Sequence, residues 1–289
     1  MTRTPRIMVA AAAWCVVAFF GLLALAYYVP PTHTLDVSAL HGFMAMHHAR
    51  VDKVADVFAH LCNPLPYAIA SVIAVAVAGM MRGLRTAVTV GILLAGANAT
   101  SQLLKPALAH HRELYHTHWH IYNLPDAAFP SGHATAAMSL SLAALIIVPR
   151  AYRPLVATFG AIFTILVSFA ILILAYHFPS DIVGGYLIAT AWGLVAFAAL
   201  TTVNARWPQR GTVRQAAREA LPAPSVATIA KAAVAAAVIA ALVAASRAHQ
   251  IASFADRHTA ATAVASAIAV AAAILLAAVV SISSGSRSR

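Results

Sequence analysis

Residues 154–203 read PLVATFGAIFTILVSFAILILAYHFPSDIVGGYLIATAWGLVAFAALTTV. Two long apolar runs are separated by one short polar stretch. Asp181 is the only acidic residue in the segment, and it holds no Lys or Arg. Each run is close to the roughly 20 residues a helix needs to cross a bilayer. His177 and Asp181 stand at the break between the runs. The segment therefore reads as a helical hairpin in lipid, with an imidazole and a carboxylate at its bend.

Working outward, comparable runs occur at 7–29, 65–81, 86–104, 133–148, 226–246 and 259–281, beside 154–175 and 181–203. They are rich in Ala, Val, Ile and Leu and lack the alternation of barrel strands. The fold class that follows is all-α: a polytopic membrane helical bundle of eight spans. Composition agrees. Charged residues are only 9% of the chain and the mean hydropathy is +0.82, against roughly 25% charged in soluble domains. So few charges cannot cover a water-exposed surface. The first run follows Arg3 and Arg6 but is long for a signal peptide and shows no small-residue cleavage site, so it reads as a retained signal anchor. Cys15 lies inside that span and Cys62 outside it, so the two are not expected to pair.

Orientation comes from the loops, because cytoplasmic loops are enriched in Lys and Arg. With the N-terminus inside, Arg3, Arg6, Arg82, Arg85, Arg150, Arg153, Arg206, Arg210, Arg214, Arg218, Lys231, Arg287 and Arg289 fall inside, 13 of the 19 basic residues. Arg50, Lys53, Lys105, Arg112, Arg247 and Arg257 fall outside. The acids other than Glu219, and all 14 histidines, also fall outside. A topology wrong by one span would scatter these groups. The net charge of +11 is thus a topology signal and not a nucleic-acid footprint. Contact with anionic inner-leaflet lipid is expected, in a bacterial-type inner membrane, with the polar outer loops facing the periplasm.

Between spans, 34–61 repeats Leu40, Phe43, Met44, Val51, Val54, Phe58 and Leu61 at helical spacing, with Asp52, Lys53, Asp56 and His60 between. It reads as one amphipathic helix on the outer interface, ended by Asn63-Pro64. The chain divides into a core at 1–203, a basic linker at 204–225 and a C-terminal pair of spans within 226–289. The pair holds small residues that favour close helix packing and no evident chemistry.

Three polar clusters share the outer side: Lys105 and Arg112 after span three, Pro130-Ser131-Gly132-His133 opening span four, and His177 with Asp181. Ionisable groups near a membrane are expensive, so their convergence is informative. Ser131 is a good N-cap and Gly132 admits an anion to the backbone, so the helix that follows can hold phosphate at its N-terminus. Lys105 and Arg112 add positive charge there. His177 and Asp181 are one helical turn apart. A carboxylate on one ring nitrogen fixes the tautomer and leaves the other nitrogen a better nucleophile. His133 then serves as a second, acid–base histidine.

These residues resemble the signature of the type 2 phosphatidic acid phosphatase (PAP2) family, K-x6-R-P, P-S-G-H and S-R-x5-H-x3-D. The matches are Lys105-x6-Arg112, Pro130-Ser131-Gly132-His133 and His177-x3-Asp181, over roughly residues 1–203. The resemblance implies a six-helix core, with the last two spans as additions, and a lipid phosphatase. His177, oriented by Asp181, would form a phosphohistidine. His133 would protonate the leaving oxygen. Lys105, Arg112, Ser131 and Gly132 would hold the phosphate, with no metal or cofactor. Two positions depart from the pattern. Ala170 and Ile171 stand where the family has Ser-Arg, and Glu113 where it has Pro. Three explanations stay open for the missing Arg: a replacement cation such as His110 or His111, a substrate that needs no such contact, or a protein that binds a lipid phosphate with little turnover.

Other readings use the same side. His110, His111, His116, His118 and His120 could bind a metal or form a polar lid with Trp119 and Tyr122 at the interface. A hydroxyl acceptor in place of water would make the protein a lipid phosphotransferase. The expected substrate is a lipid phosphate or diphosphate, a polyprenyl diphosphate ahead of phosphatidic acid, phosphatidylglycerol phosphate or a lipid A phosphate.

Overall fold

The computed structural model describes residues 3–110, 126–208 and 248–284. The predicted span 226–246 and the histidines at 111, 116, 118 and 120 lie outside the described residues. The described elements are all helical: α1 (Arg3–Tyr28), α2 (Pro30–Met44), α3 (Ala49–His60), α4 (Pro64–Arg82), α5 (Leu84–Ala107), α6 (Gly132–Ile147), α7 (Arg153–Ile173), α8 (Pro179–Arg206), α9 (Ala248–Arg257) and α10 (Thr259–Ser284). Among them α1, α4, α5, α7, α8 and α10 are long and apolar enough to cross a membrane. The chain is a multi-span membrane protein.

α6 is the exception that shapes the site. Its 16 residues rise about 24 Å, short of the roughly 30 Å hydrocarbon layer. It nevertheless forms the centre of the bundle, packed by α4, α5, α7 and α8 and buried nearly all round. Lipid does not have to match its length because protein surrounds it. Phe129, Pro130 and Ser131, which lead into it, are buried too.

The segment expected as one interfacial helix over 34–61 is two helices. α2 begins at Pro30, directly after α1, and ends at Met44; α3 starts after a break at Ala45–His48. The break is built by histidines: His48 Nδ1 accepts the Arg50 N–H (3.3 Å), and His47 Nδ1 lies 3.0 Å from Asp52 Oδ1. α2 packs against α1, α7 and α10 and buries Asp36, Val37, Leu40 and Phe43. Gly42 permits this contact, since a Cβ there would collide with the Ala261 Cβ of α10. Cys15 and Cys62 are both buried and unpaired.

The helix ends sort by chemistry. The C-termini of α5 and α7 and the N-termini of α4, α6 and α8 meet at one end of the bundle. The opposite end gathers Arg82, Arg85, Arg150, Arg153 and Arg206.

Candidate active site

The N-terminus of α6 is the floor of the site. Ser131 is its N-cap, its hydroxyl accepting the Ala134 N–H (3.3 Å). The Ser131 N–H donates to the Asp181 carbonyl (2.9 Å). That bond joins two of the three sequence clusters through the backbone. It requires close approach of α8, and two adjacent glycines provide it. A Cβ on Gly185 would lie 2.7 Å from the Ser131 carbonyl oxygen, and one on Gly184 would lie 2.8 Å from the Phe129 ring. Lys105, in the last turn of α5, completes the floor. A Cβ built on Gly132 would meet Gln102 Nε2 at 2.8 Å and Lys105 Nζ at 3.7 Å. The helix N-terminus and the ammonium thus address the same small volume, which is the arrangement that attracts a phosphate.

His177 and Asp181 form the wall. The Nδ1 of His177 is 3.4 Å from Asp181 Oδ2, with the imidazole side chain 6% and the carboxylate 0% exposed. At that distance the two make no hydrogen bond in this structure, and catalytic hydrogen bonds often tighten only as charge develops. The same Oδ2 accepts the Phe178 N–H (2.9 Å), so one oxygen both caps α8 and faces the imidazole. The His177 backbone is set by the end of α7. The Tyr176 N–H reaches the Ile171 carbonyl (2.9 Å) and the Ala175 N–H reaches the Leu172 carbonyl (3.0 Å), a Schellman pair. Ala175 takes the left-handed position at φ 53°, a conformation glycine usually fills.

His133 stands across from His177, ring centroids 6.2 Å apart and planes at 65°. Its Nε2 lies 2.9 Å from Asn63 Oδ1, the residue before α4. An amide oxygen accepts, so Nε2 carries a proton there.

Residues 83–205 match the model of the PAP2 superfamily. That stretch of the chain is similar to the PAP2 superfamily. No curated protein matches the chain. The crystal structure of a transmembrane PAP2-type phosphatidylglycerolphosphate phosphatase from Bacillus subtilis superposes with a TM-score of 0.55, covering 69% of this chain and 98% of that one at 16% identity. At that identity the likeness is one of fold.

Within this PAP2-like core, Lys105, Ser131, Gly132, His133, His177 and Asp181 come together, while Arg112 lies outside the described residues. Ile171, at the position of the family arginine, is fully buried in the apolar core. His110, one of the suggested replacements, stacks its ring on Tyr27 (4.6 Å between centroids), and its backbone N–H donates to the Asp126 carbonyl (3.0 Å). Among the described residues no three His, Cys, Asp or Glu side chains converge as metal ligands.

Sequence reading missed Asn63, Gln102 and Asp36. Asp36 on α2 is buried; its Oδ1 accepts the Ser180 N–H (3.0 Å) and its Oδ2 the Ser180 hydroxyl. α8 therefore has two carboxylates at its positive end, Asp36 and Asp181, each held by backbone N–H groups. Asn63 carried a signal that could have been used, since Asn before Pro marks a helix start.

Proposed function

We propose that the protein is a membrane lipid phosphatase that cleaves a lipid phosphomonoester or diphosphate through a phosphohistidine. The observation that carries the reading is His177, backed by the buried Asp181 and facing His133 beside the N-terminus of α6 and Lys105. With Nδ1 turned to Asp181, the Nε2 lone pair of His177 attacks phosphorus. The bond from phosphorus to the lipid oxygen breaks as the His133 proton passes to that oxygen. Water, deprotonated by His133, then attacks the phosphohistidine; phosphate leaves and His177 is restored. Lys105, Ser131, the Gly132 N–H and Arg112 hold the phosphoryl oxygens as charge spreads over them. No step uses a metal.

The lipid's tail has a path beside the site. An apolar cleft of about 210 Å³ lies between α1, α2, α8 and α10, lined by Leu22, Leu35, Val183 and Ile268 and reaching Asp36 and Ser180. With the N-terminus cytoplasmic, the site faces the periplasm, which favours a polyprenyl diphosphate among the candidates.

The test is phosphate release by the detergent-purified protein on polyprenyl diphosphate, phosphatidic acid and phosphatidylglycerol phosphate, with EDTA present, beside His177→Ala. Release that needs His177 and survives EDTA supports the reading and ranks the substrates. No release above the variant on any lipid refutes it. A second reading, binding of a lipid phosphate without turnover, draws on Ile171. A buried charge-assisted contact contributes about 1.5–3 kcal/mol, and that contact is missing here. It predicts lipid binding by the wild type with no release.

A further inference from the structure

Asparagine is among the best N-cap residues, because its side-chain oxygen can accept an N–H of the first helical turn. Asn63 stands at the N-cap of α4, yet its side chain makes no cap bond. Both ends of the amide go elsewhere. Oδ1 lies 2.9 Å from His133 Nε2, and Nδ2 lies 3.1 Å from Nδ1 of His60, an exposed residue at the end of α3. One amide thus joins an imidazole at the surface to the half-buried imidazole of the candidate site.

The backbone fixes Asn63 in this place. Its N–H donates to the His60 carbonyl (3.0 Å), and its carbonyl accepts the Tyr67 N–H (2.9 Å) in the first turn of α4. Tyr67 ties the same turn to its neighbours. Its hydroxyl donates to the Leu94 carbonyl of α5 (2.9 Å) and lies 3.2 Å from Ser139 Oγ of α6, the helix that carries His133. α4 itself buries only Ala78, so polar bonds carry much of its register against α6.

The direction of the amide sets the protons on both rings. Oδ1 accepts, so His133 carries a proton at Nε2; Nδ2 donates, so Nδ1 of His60 holds a lone pair. An Nε2–H is present in this neutral form of His133 and in the charged imidazolium alike. The bond to Asn63 therefore persists while the ring gains and loses a proton, and the exchange is confined to Nδ1. A turned amide would present an N–H to Nε2 and require a lone pair there, which the imidazolium lacks.

We propose that Asn63 is a positioning residue that holds His133 through both protonation states and directs its proton transfer to Nδ1, with His60 keeping the amide from turning over. The assignment rests on the acid–base role of His133 in the proposed reaction. In the first step the Nδ1 proton passes to the lipid oxygen as the bond from that oxygen to phosphorus breaks, leaving a lone pair on Nδ1. In the second, that lone pair takes a proton from water as the water oxygen bonds to phosphorus. The electron pair of the broken phosphorus–nitrogen bond returns to His177. Nε2 of His133 keeps its proton throughout.

The test uses the full chain in detergent, labelled with 15N at histidine. Asn63→Leu removes the acceptor at similar size. Asn63→Asp keeps an oxygen toward His133 but cannot donate to His60. His60→Ala leaves the acceptor and frees the amide to turn. The first readout is the Nε2–H proton of His133 at about pH 8.5, above the titration of free imidazole, assigned by its loss in His133→Gln. It needs no turnover, so it stands whether or not the protein is a phosphatase. The proton is expected to be protected from exchange in wild type and Asn63→Asp, and lost to exchange with water in Asn63→Leu. The second readout is phosphate release. In Asn63→Leu kcat should fall at least about tenfold, the size of one hydrogen bond to a charged group. In Asn63→Asp it should stay within about threefold of wild type, the acceptor being retained, with His60→Ala between the two. KM and Tm should move little, since no helix cap is lost. No release by wild type refutes the phosphatase reading and leaves the proton signal to decide the positioning. An unprotonated Nε2 in wild type, or an Asn63→Leu that matches wild type in either readout, overturns the proposal. A His60→Ala equal to wild type in both overturns the part given to His60.

Discussion

Asp181→Asn is the sharpest test of the catalytic arrangement, because it removes a charge while leaving the shape. The same Oδ2 accepts the Phe178 N–H at 2.9 Å and faces His177 Nδ1 at 3.4 Å. An asparagine oxygen in that place can serve both, so the cap on α8 and the His177 tautomer survive. The charge does not. At 3.4 Å, and with an effective dielectric of about 20, full unit charges interact by about 5 kcal/mol. If attack on phosphorus places about half a positive charge on the imidazole, the carboxylate stabilises the transition state by about 2.4 kcal/mol, or about 50-fold in rate. The expected result is a kcat for phosphate release at least about 50-fold lower, with KM much less affected, because in the proposed site Lys105 and the α6 N-terminus, not Asp181, hold the phosphate. Folding should weaken by only about 0.3–1 kcal/mol, the usual worth of a carboxylate at a helix N-terminus, which a melting curve measures. A kcat within about threefold of wild type, in a protein of unchanged melting temperature, would refute the assignment of Asp181 as the group that activates His177.

Three further expectations follow from single positions. Ala175→Gly should be tolerated, whereas Ala175→Val, β-branched at φ 53°, should cost about 1–2 kcal/mol of stability and lower kcat by moving His177; thermal melts and phosphate release check both. Gly185→Ala places a methyl 2.7 Å from the Ser131 carbonyl, so α8 must shift from α6, and activity should fall at least about tenfold; activity equal to wild type would mean that the Ser131–Asp181 contact does not position the site. Burial pushes the Cys62 thiol up to about 12; the thiol form dominates below that pH, so at pH 8 only about 10⁻⁴ of it is thiolate. Iodoacetamide should leave Cys62 unmodified in the folded protein and alkylate it after denaturation, read by mass spectrometry.

The helical hairpin around His177 was legible because hydropathy and the four-residue spacing of His177 and Asp181 are both local properties. So was Ser131, since an N-cap needs only the residues beside it. Contacts across long separations were not legible. Asp36 holds Ser180 across 144 positions, and in sequence it is one more acid on an amphipathic stretch. His133 meets Asn63 across 70 positions, and nothing near either residue announces the other. The break between α2 and α3 was hidden for a different reason. Met44 and Val51 lie two helical turns apart and stay in phase across 45–48, while the turn is made by His47 and His48 bonding Asp52 and the Arg50 N–H, a capping role those side chains seldom take. Gly184 and Gly185 were visible as a pair, but what they permit depends on which backbone lies opposite.

The shortness of α6 links the two ends of the molecule. A helix of 16 residues inside longer neighbours leaves a recess at each terminus, and each recess exposes what the helix lacks there. At the N-terminus the orphan groups are N–H donors and the dipole is positive, so that recess suits an anion and is lined by Ser131, Lys105 and the two histidines. At the C-terminus the orphan groups are carbonyls, and Arg82 and Arg153 reach in from α4 and α7 to satisfy Leu145, Ile147 and Val148. Those caps supply the donors that α6 lacks at that end. A longer α6 would close both. Lengthening the apolar run would improve its match to lipid, yet it would push Ser131 out of reach of the Asp181 carbonyl and the C-terminal carbonyls away from their arginines. The buried surroundings of α6 remove any need for that match, and this is why a helix too short to span by itself can stand at the centre of the bundle.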